Sequence, residues 1–454
     1  MTRKLLSAAI SLHILARPAL GRGTDPGSVK GSLWTPGRDA QGAVNEVSWA
    51  AVPTGQWLNV ADTRLDALDA VVKAAIPGWS DPGSQKWDGV TNAWNGVAMD
   101  TEGCRAWWVC AGGHADSANN GIYRFDALRM AYAVECLPSD TGPWKTPFAA
   151  YGKAQSLYQR IASGGSVGPC LESEARYQAD LAADIKPPEG GWFGDELVWD
   201  RKPIARHVYS GTVYLPASNE LVLARGRLWR YSLAAGRWTY RRHAKDSASR
   251  GFGEASIAYQ DPANGQLIVG SCGSDGPFGA TFDFKTESWT GYMPPWASWD
   301  WDGAADTCFN EELTLLRPPS NPDVGSGSRG FPGRYMRYKL RTRQASEGVL
   351  QFEAGLSQSD FANQSSFYDG AGLVYIPPLN RYWLSTQMKD GRLAWFELDP
   401  STTPWTLRRM PQATGDWPAP SAGSIVKRRM MWLPSLSALV YLGSASKNIS
   451  IYKV

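Results

Sequence analysis

Within four residues, Arg206-His207-Val208-Tyr209 sets a guanidinium, an imidazole and a phenol side by side. An imidazole or phenolate can take a proton while a guanidinium neutralises the charge that develops, so the trio is equipped for proton abstraction. A second polar pair, His114 and Asp116, stands in the glycine-rich turn CAGGHADS. Trp94, Glu254, Tyr368 and Asp369 each lie just ahead of a short apolar run. Arg206, His207 and Tyr209 are therefore the candidate catalytic set, and His114, Asp116, Trp94, Glu254, Tyr368 and Asp369 the candidate ligand-binding set. The competing reading is structural: His114 and Asp116 would brace a tight turn, and Arg206 and His207 would lock one element to the next. Only His13 and His243 complete the histidines, and the six cysteines show no zinc-like pairing. No metal and no cofactor is expected. The even cysteine count leaves Cys136 with Cys170, and Cys272 with Cys308, as bridges to test.

The elements that would gather these residues follow from an internal repeat. An aromatic is followed seven residues later by another at Phe125 and Tyr132, Tyr231 and Trp238, and Phe282 and Trp289, with a looser copy from Phe396 to Trp405. Trp238 and Trp289 are 51 residues apart, as are Tyr231 and Phe282. Upstream of these copies, apolar runs flank a turn, as in VYLPASNELVL, IAYQDPANGQLIVG, LVYIPPLNRYWLS and MMWLPSLSALVYLG. Short strands at this pitch, four to a unit, predict an all-β propeller. With a non-repeating insert of about 60 residues set aside (141–199), roughly 300 residues remain after Asn92, enough for six blades of about 50. A seventh would require the N-terminal region to supply one. The last unit lacks its outer strand, and NEVSWAAVP resembles the outer strands of other units, so residues 46–53 are expected to close the ring and remove an open edge. Thr63 to Ile76 carries apolar residues at helical spacing behind a capping-box-like Thr63-x-x-Asp66, and the insert holds two helix-like stretches. The chain thus divides into a signal-like or tether segment (1–21), an arm with the closing strand and a short helix (22–90), and the propeller (91–454).

In such a ring, the loops entering the innermost strands and the loops between strands two and three emerge on one face. The candidate residues all fall on those loops, as do Arg225, Asp275 and the long RPPSNPDVGSGSRGFPGRY loop with Arg329 and Arg334. Among the tryptophans, Trp49, Trp238, Trp289 and Trp405 hold repeat positions and are expected to pack between blades. Trp94, Trp192, Trp296 and Trp299 are the ones placed to touch a ligand.

Composition narrows the class. The chain has 454 residues, 43% hydrophobic and 20% charged, which excludes a disordered chain. Forty-six basic against 43 acidic residues leave a net charge of +3, too balanced to attract nucleic acid in general. Apart from the apolar run Leu5 to Leu15 behind Arg3 and Lys4, which has the layout of a short secretory signal, no stretch approaches a membrane span. The 22 Trp, 18 Tyr, 47 Gly and 30 Pro combine strand-favouring aromatics with turn residues.

CAGGHADSANNGIYRFDA, with its double glycine after a strand and the seven-residue aromatic spacing, resembles a kelch repeat. The region 90–454 is similar to bacterial kelch-repeat proteins and to the propeller domain of galactose oxidase, which implies a kelch-like propeller. It departs from galactose oxidase where the copper site would be, since the four histidines do not supply that ligand set. The repeated Ser-x-Asp-x-Gly-x-x-Trp turn of sialidases is absent. The His/Tyr/Arg set is similar in residue type to the sites of propeller-fold polysaccharide lyases acting on uronic acids.

These observations lead to a recognition or binding propeller for a glycan or a protein partner, without nucleic acid, and either extracellular or periplasmic or displayed on a larger assembly such as a phage virion. The alternative is a carbohydrate-active enzyme of lyase type using His207, Tyr209 and Arg206. Oligomeric state is left open.

Overall fold

In the computed structural model, the described residues are 33–34, 49, 52–81, 83–92, 94–112, 116–139, 202–203, 205–225, 227–240, 256–273, 276–298, 305–317, 319, 333–361, 372–390, 393–410, 418 and 428–454. The signal-like segment and the insert 141–199 lie outside them.

Six sheets, antiparallel except for the parallel outer strand Gln351–Phe352 of the fifth, follow one another along the chain, each led by an innermost strand: Ala98–Asp100, Thr212–Leu215, Ile257–Gln260, Ala305–Phe309, Gly372–Ile376 and Met430–Leu433. They are the blades of a six-bladed propeller, numbered here one to six. Shared apolar clusters join blade to blade, including blade six to blade one through Met431, Leu433 and Val440 with Trp107, Trp108 and Val109.

The seven-residue spacing has a direct cause. Phe125 and Tyr132, Tyr231 and Trp238, and Phe282 and Trp289 are cross-strand partners in the hairpin of strands three and four, with ring centroids 5.2, 5.3 and 5.0 Å apart. Such pairs stabilise a sheet beyond backbone bonding. The looser copy is not a pair: Phe396 faces Arg409, while Trp405 stacks on Tyr335 of blade four at 3.9 Å and on Tyr382 at 5.0 Å.

Of the expected 46–53, only Trp49, Val52 and Pro53 are among the described residues, and none of these is in a strand; the N-terminal strand that closes the ring is Trp57–Val60. It pairs antiparallel with Ile449–Lys453, the third strand of blade six. Trp57 is buried with its centroid 5.0 Å from Trp395 and 6.5 Å from Trp383 of blade five. Trp49 instead donates from its indole to the Ala127 carbonyl of blade one and accepts from Lys453 through its own carbonyl. Two outer edges are covered by a fifth strand, Leu33–Trp34 on blade one and Gln351–Phe352 on blade five.

The helix after the closing strand forms as a 3-10 turn, Leu65–Leu68, running into Asp69–Ala75, with Leu65, Leu68 and Val72 buried. Thr63 is not its cap. Its hydroxyl donates to Val60 O and accepts from Ile449 N, so it ties the closing strand to blade six. A further short helix, Trp87–Asn92, packs ahead of blade one. Cys104, Cys110, Cys136 and Cys308 carry free thiols, so neither bridge considered from the sequence is formed. Among the described residues, no helix is long and apolar enough to cross a membrane.

Candidate functional site

Five of the nine sequence-derived candidates are brought together at the junction of blades one and two. The chain leading into blade two runs alongside blade one: Arg206 N donates to Cys110 O and its carbonyl accepts from Gly112 N, both at 2.9 Å. Tyr209 N donates to Trp94 O at 2.8 Å, its carbonyl accepts from Gly96 N, and Val208 N donates to the Asn95 side chain. Trp94 and Tyr209 both adopt left-handed backbone, with φ of 53° and 48°, an uncommon choice for aromatic residues that the paired bridge holds in place. The His207 ring meets Trp94 edge-on at 4.6 Å and lies 6.2 Å from Tyr209.

Asp116 approaches His207 Nε2 at 3.9 Å, an electrostatic neighbour beyond hydrogen-bond length. It is fixed by Gln85, whose amide donates to Oδ1 at 2.7 Å and whose backbone N–H donates to the Asp116 carbonyl. Two glycines around it leave no room for a side chain: a β-carbon on Gly112, in the turn, would stand 2.7 Å from the Ser117 carbonyl, and one on Gly89, in the helix Trp87–Asn92, would stand 2.7 Å from the Asp116 carbonyl carbon.

Arg206, His207 and Tyr209 are 3%, 5% and 3% exposed. A general base works within about 2.6 to 3.2 Å of the proton it removes, and an imidazole so covered presents almost no surface to a polymer. Their backbone bonds and burial give this trio the geometry of the inter-blade lock. His114, Glu254, Tyr368 and Asp369, like Asp275, Arg329, Trp192 and Trp299, lie outside the described residues. Trp296 is not a contact residue: it is buried, 4.9 Å from Tyr338 in the core shared by blades three and four.

A second site was not among the candidates. The six innermost strands enclose a central channel with a cavity of about 380 Å³, within the ~300–1,000 Å³ range of small-molecule pockets. One residue per blade, always the second-last position of the innermost strand, lines it: Met99, Tyr214, Tyr259, Cys308, Tyr375 and Trp432. Two of the tyrosines are anchored in the same way. Tyr214 OH donates to Asn219 and Tyr375 OH to Asn380, each asparagine sitting left-handed in the turn that follows its strand. Tyr214 is also stacked on Trp107 at 5.0 Å. The rings are thus oriented before any ligand arrives.

Arg428 floors the channel. Lying just before the innermost strand of blade six, it donates from Nε to Asp306 of blade four at 2.6 Å, from Nη1 to Thr212 O of blade two at 2.9 Å and from Nη2 to Ala258 O of blade three at 3.0 Å. Its guanidinium lies 4.2 Å over the Tyr259 ring. Ser210 and Tyr259 hydroxyls donate to the two oxygens of Asp306. Burial works against the Arg428 charge, but Asp306 and Tyr259 outweigh it and hold the guanidinium above its ordinary range. Burial first, and then the Asp306 carboxylate, push the Tyr259 phenol well up against the opposing pull of Arg428, so it stays a donor. From this floor the cavity extends to Thr101, Glu102, Asn310 and Pro434, in the turns after the innermost strands. Its far end therefore lies on the face opposite to that carrying the loops singled out from the sequence.

Cys308 is surrounded by protein yet exposed, because the surface it presents is the channel lumen; burial pushes its thiol up to about 12. The channel carboxylate Asp306 is committed to Arg428. Nor do the described residues group three or more metal-ligating side chains.

No family model and no curated protein matches the chain. Solved structures that align with it include a family 43 glycoside hydrolase, a β-1,3-galactosidase with galactodeoxynojirimycin, at 8% identity, TM-score 0.33, covering 70% of this chain and 94% of that one. Another is a family 43 enzyme from Xanthomonas citri complexed with xylose, at 11% identity, TM-score 0.30, covering 84% and 91%. A β-xylosidase/α-arabinofuranosidase of the same family from a compost metagenome aligns at 9% identity, TM-score 0.32, covering 82% and 94%. At such scores the six-bladed architecture rests on the chain's own sheet topology and not on these likenesses.

Proposed function

We propose that this protein is a glycan-recognition propeller whose ligand site is the central channel. The observation that carries the reading is the ring at one register position, in which Tyr214, Tyr375 and Trp432 add aromatic surface to a cavity that also has Gln260, Thr307 and Asn310 along it. Sugar rings stack on aromatic faces and take hydrogen bonds from a few fixed polar groups, and a rigid ring of strands loses little entropy on binding. An oligosaccharide array followed by calorimetry tests it. Binding should weaken at least tenfold in Tyr375→Ala and Tyr214→Ala; unchanged affinity in both refutes the channel as the site. A protein ligand on the propeller face would appear instead as pull-down insensitive to these variants. Such a protein belongs outside the cytoplasm or on a virion, an expectation from the signal-like residues 1–21 that mass measurement of the mature N-terminus checks.

The second reading is a lyase acting through His207, Tyr209 and Arg206. What favours it is the convergence of Trp94, Asp116, Arg206, His207 and Tyr209, with a carboxylate 3.9 Å from the imidazole. It requires the imidazole to be uncovered when substrate binds. Ultraviolet detection of unsaturated product from uronic-acid polymers, lost in His207→Ala, would support it; no product from the wild-type protein rejects it.

A further inference from the structure

We propose that the channel selects by charge, admitting uncharged and ammonium-bearing saccharides and turning away anionic ones such as uronic acids. This deepens the reading of the channel as the glycan site and rests on it. Among the described residues lining the channel, the ionisable charges are Glu102, Asp306 and Arg428, two carboxylates against one guanidinium. A carboxylated sugar needs a cation with free donors, and arginine is the usual choice. Here each nitrogen of Arg428 is already engaged, by Asp306, Thr212 O and Ala258 O, and its face is covered by Tyr259. With its side chain only 9% exposed, it closes the channel and presents little of its charge to a ligand. Glu102 is exposed in the turn after the innermost strand of blade one, at the opposite end from Arg428. Among the described residues no cation pairs with it, so a ligand passing it meets a negative field before it meets the aromatic ring, and that field is strengthened between low-dielectric walls. The tyrosine and tryptophan faces favour positive over negative charge for the same electrostatic reason.

Cys308 supplies a readout that needs no saccharide, because its thiol opens onto the lumen. Cationic and anionic methanethiosulfonates of matched size are reacted with the whole protein at pH 9, and modification of the Cys308 peptide is followed by mass spectrometry, with Cys308→Ser as the blank. Both reagents draw on the same thiolate, so their rate ratio, corrected for a small free thiol, reports the field in the channel. The cationic reagent should react at least tenfold faster, and Glu102→Gln should bring the ratio down severalfold, with added salt acting in the same direction. Equal rates, or a ratio unmoved in Glu102→Gln, overturn the proposal while leaving the channel free to bind sugars. In parallel, neutral oligosaccharides should bind at least tenfold more tightly than uronate oligomers of equal length. Uronates bound as tightly, with both ligands weakened by Tyr375→Ala, overturn the charge rule alone. Absence of binding by every saccharide overturns the glycan reading and the inference with it.

Discussion

Removing one member of the Arg428–Asp306 pair should cost about 3–5 kcal/mol, the scale for breaking a buried ion pair by deleting one side. In Arg428→Met, Asp306 keeps the Ser210 and Tyr259 hydroxyls but loses its countercharge, while the carbonyls of Thr212 and Ala258 each lose a charged donor. An unmet buried acceptor costs about 1–3 kcal/mol, so the two carbonyls account for much of the total even before the carboxylate is considered. In Asp306→Asn the shape is kept, but the guanidinium loses its compensating charge and Nε faces a neutral amide. The double variant removes both charges, so its loss should fall short of the sum of the singles by at least about 2 kcal/mol. Against a typical stability of ~5–15 kcal/mol the effect is large. Guanidinium denaturation followed by fluorescence of the 22 tryptophans reads it directly. Single-variant losses below about 1 kcal/mol, or losses that add within about 0.5 kcal/mol, refute the view that Arg428 ties blades two, three, four and six together.

Three other outcomes follow from named contacts. With its thiol pushed up to about 12, Cys308 should hold roughly a thousandfold less thiolate at pH 7.5 than a thiol at the ordinary 9.0, and its reaction with a disulfide reagent should rise about tenfold per pH unit up to that range; a midpoint near 9 refutes the burial argument. Trp57→Ala should destabilise the ring by about 3–5 kcal/mol, as expected for deleting a buried indole, here one wedged against Trp383 and Trp395, whereas a loss under 1 kcal/mol in the same denaturation assay would place closure elsewhere. Asp399 is held below the usual carboxylate range by the Ser401 hydroxyl and N–H and by Arg381 and Arg408. Because its folded value is depressed, its stabilisation is complete above the ordinary value of 3.8 and is lost as pH falls through the folded one. Asp399→Asn should flatten the acid limb of stability against pH below 4, and superimposable limbs would contradict this.

How much of this could be read from the sequence depends on the range of each interaction. The blade pitch was legible because Phe282 and Trp289 are partners across a short turn, so chain spacing and spatial spacing coincide. Where the turn before Trp405 lengthens, the same rule fails, and its ring stacks on blade four instead. The closing strand was legible as a need but not as a register, since what distinguishes Trp57 from Trp49 is a pocket formed by Trp383 and Trp395, more than 300 residues away. The channel ring left a visible trace: in VYLP, AYQD, VYIP and MWLP the aromatic stands one residue before the last of its strand. Strand patterning explains an aromatic there equally well, so the trace acquires meaning only when the register shows that all six positions line the same cavity. The face was the part that could not be read. Loop composition drew attention to the side where the chain enters the innermost strands. What opposes that choice for the channel is Arg428, whose partner Asp306 is 122 residues distant and lies on another blade. A pair at that separation has no local signature, yet it closes the channel at the level of those entering loops and leaves the cavity to run toward Glu102 and Asn310 instead.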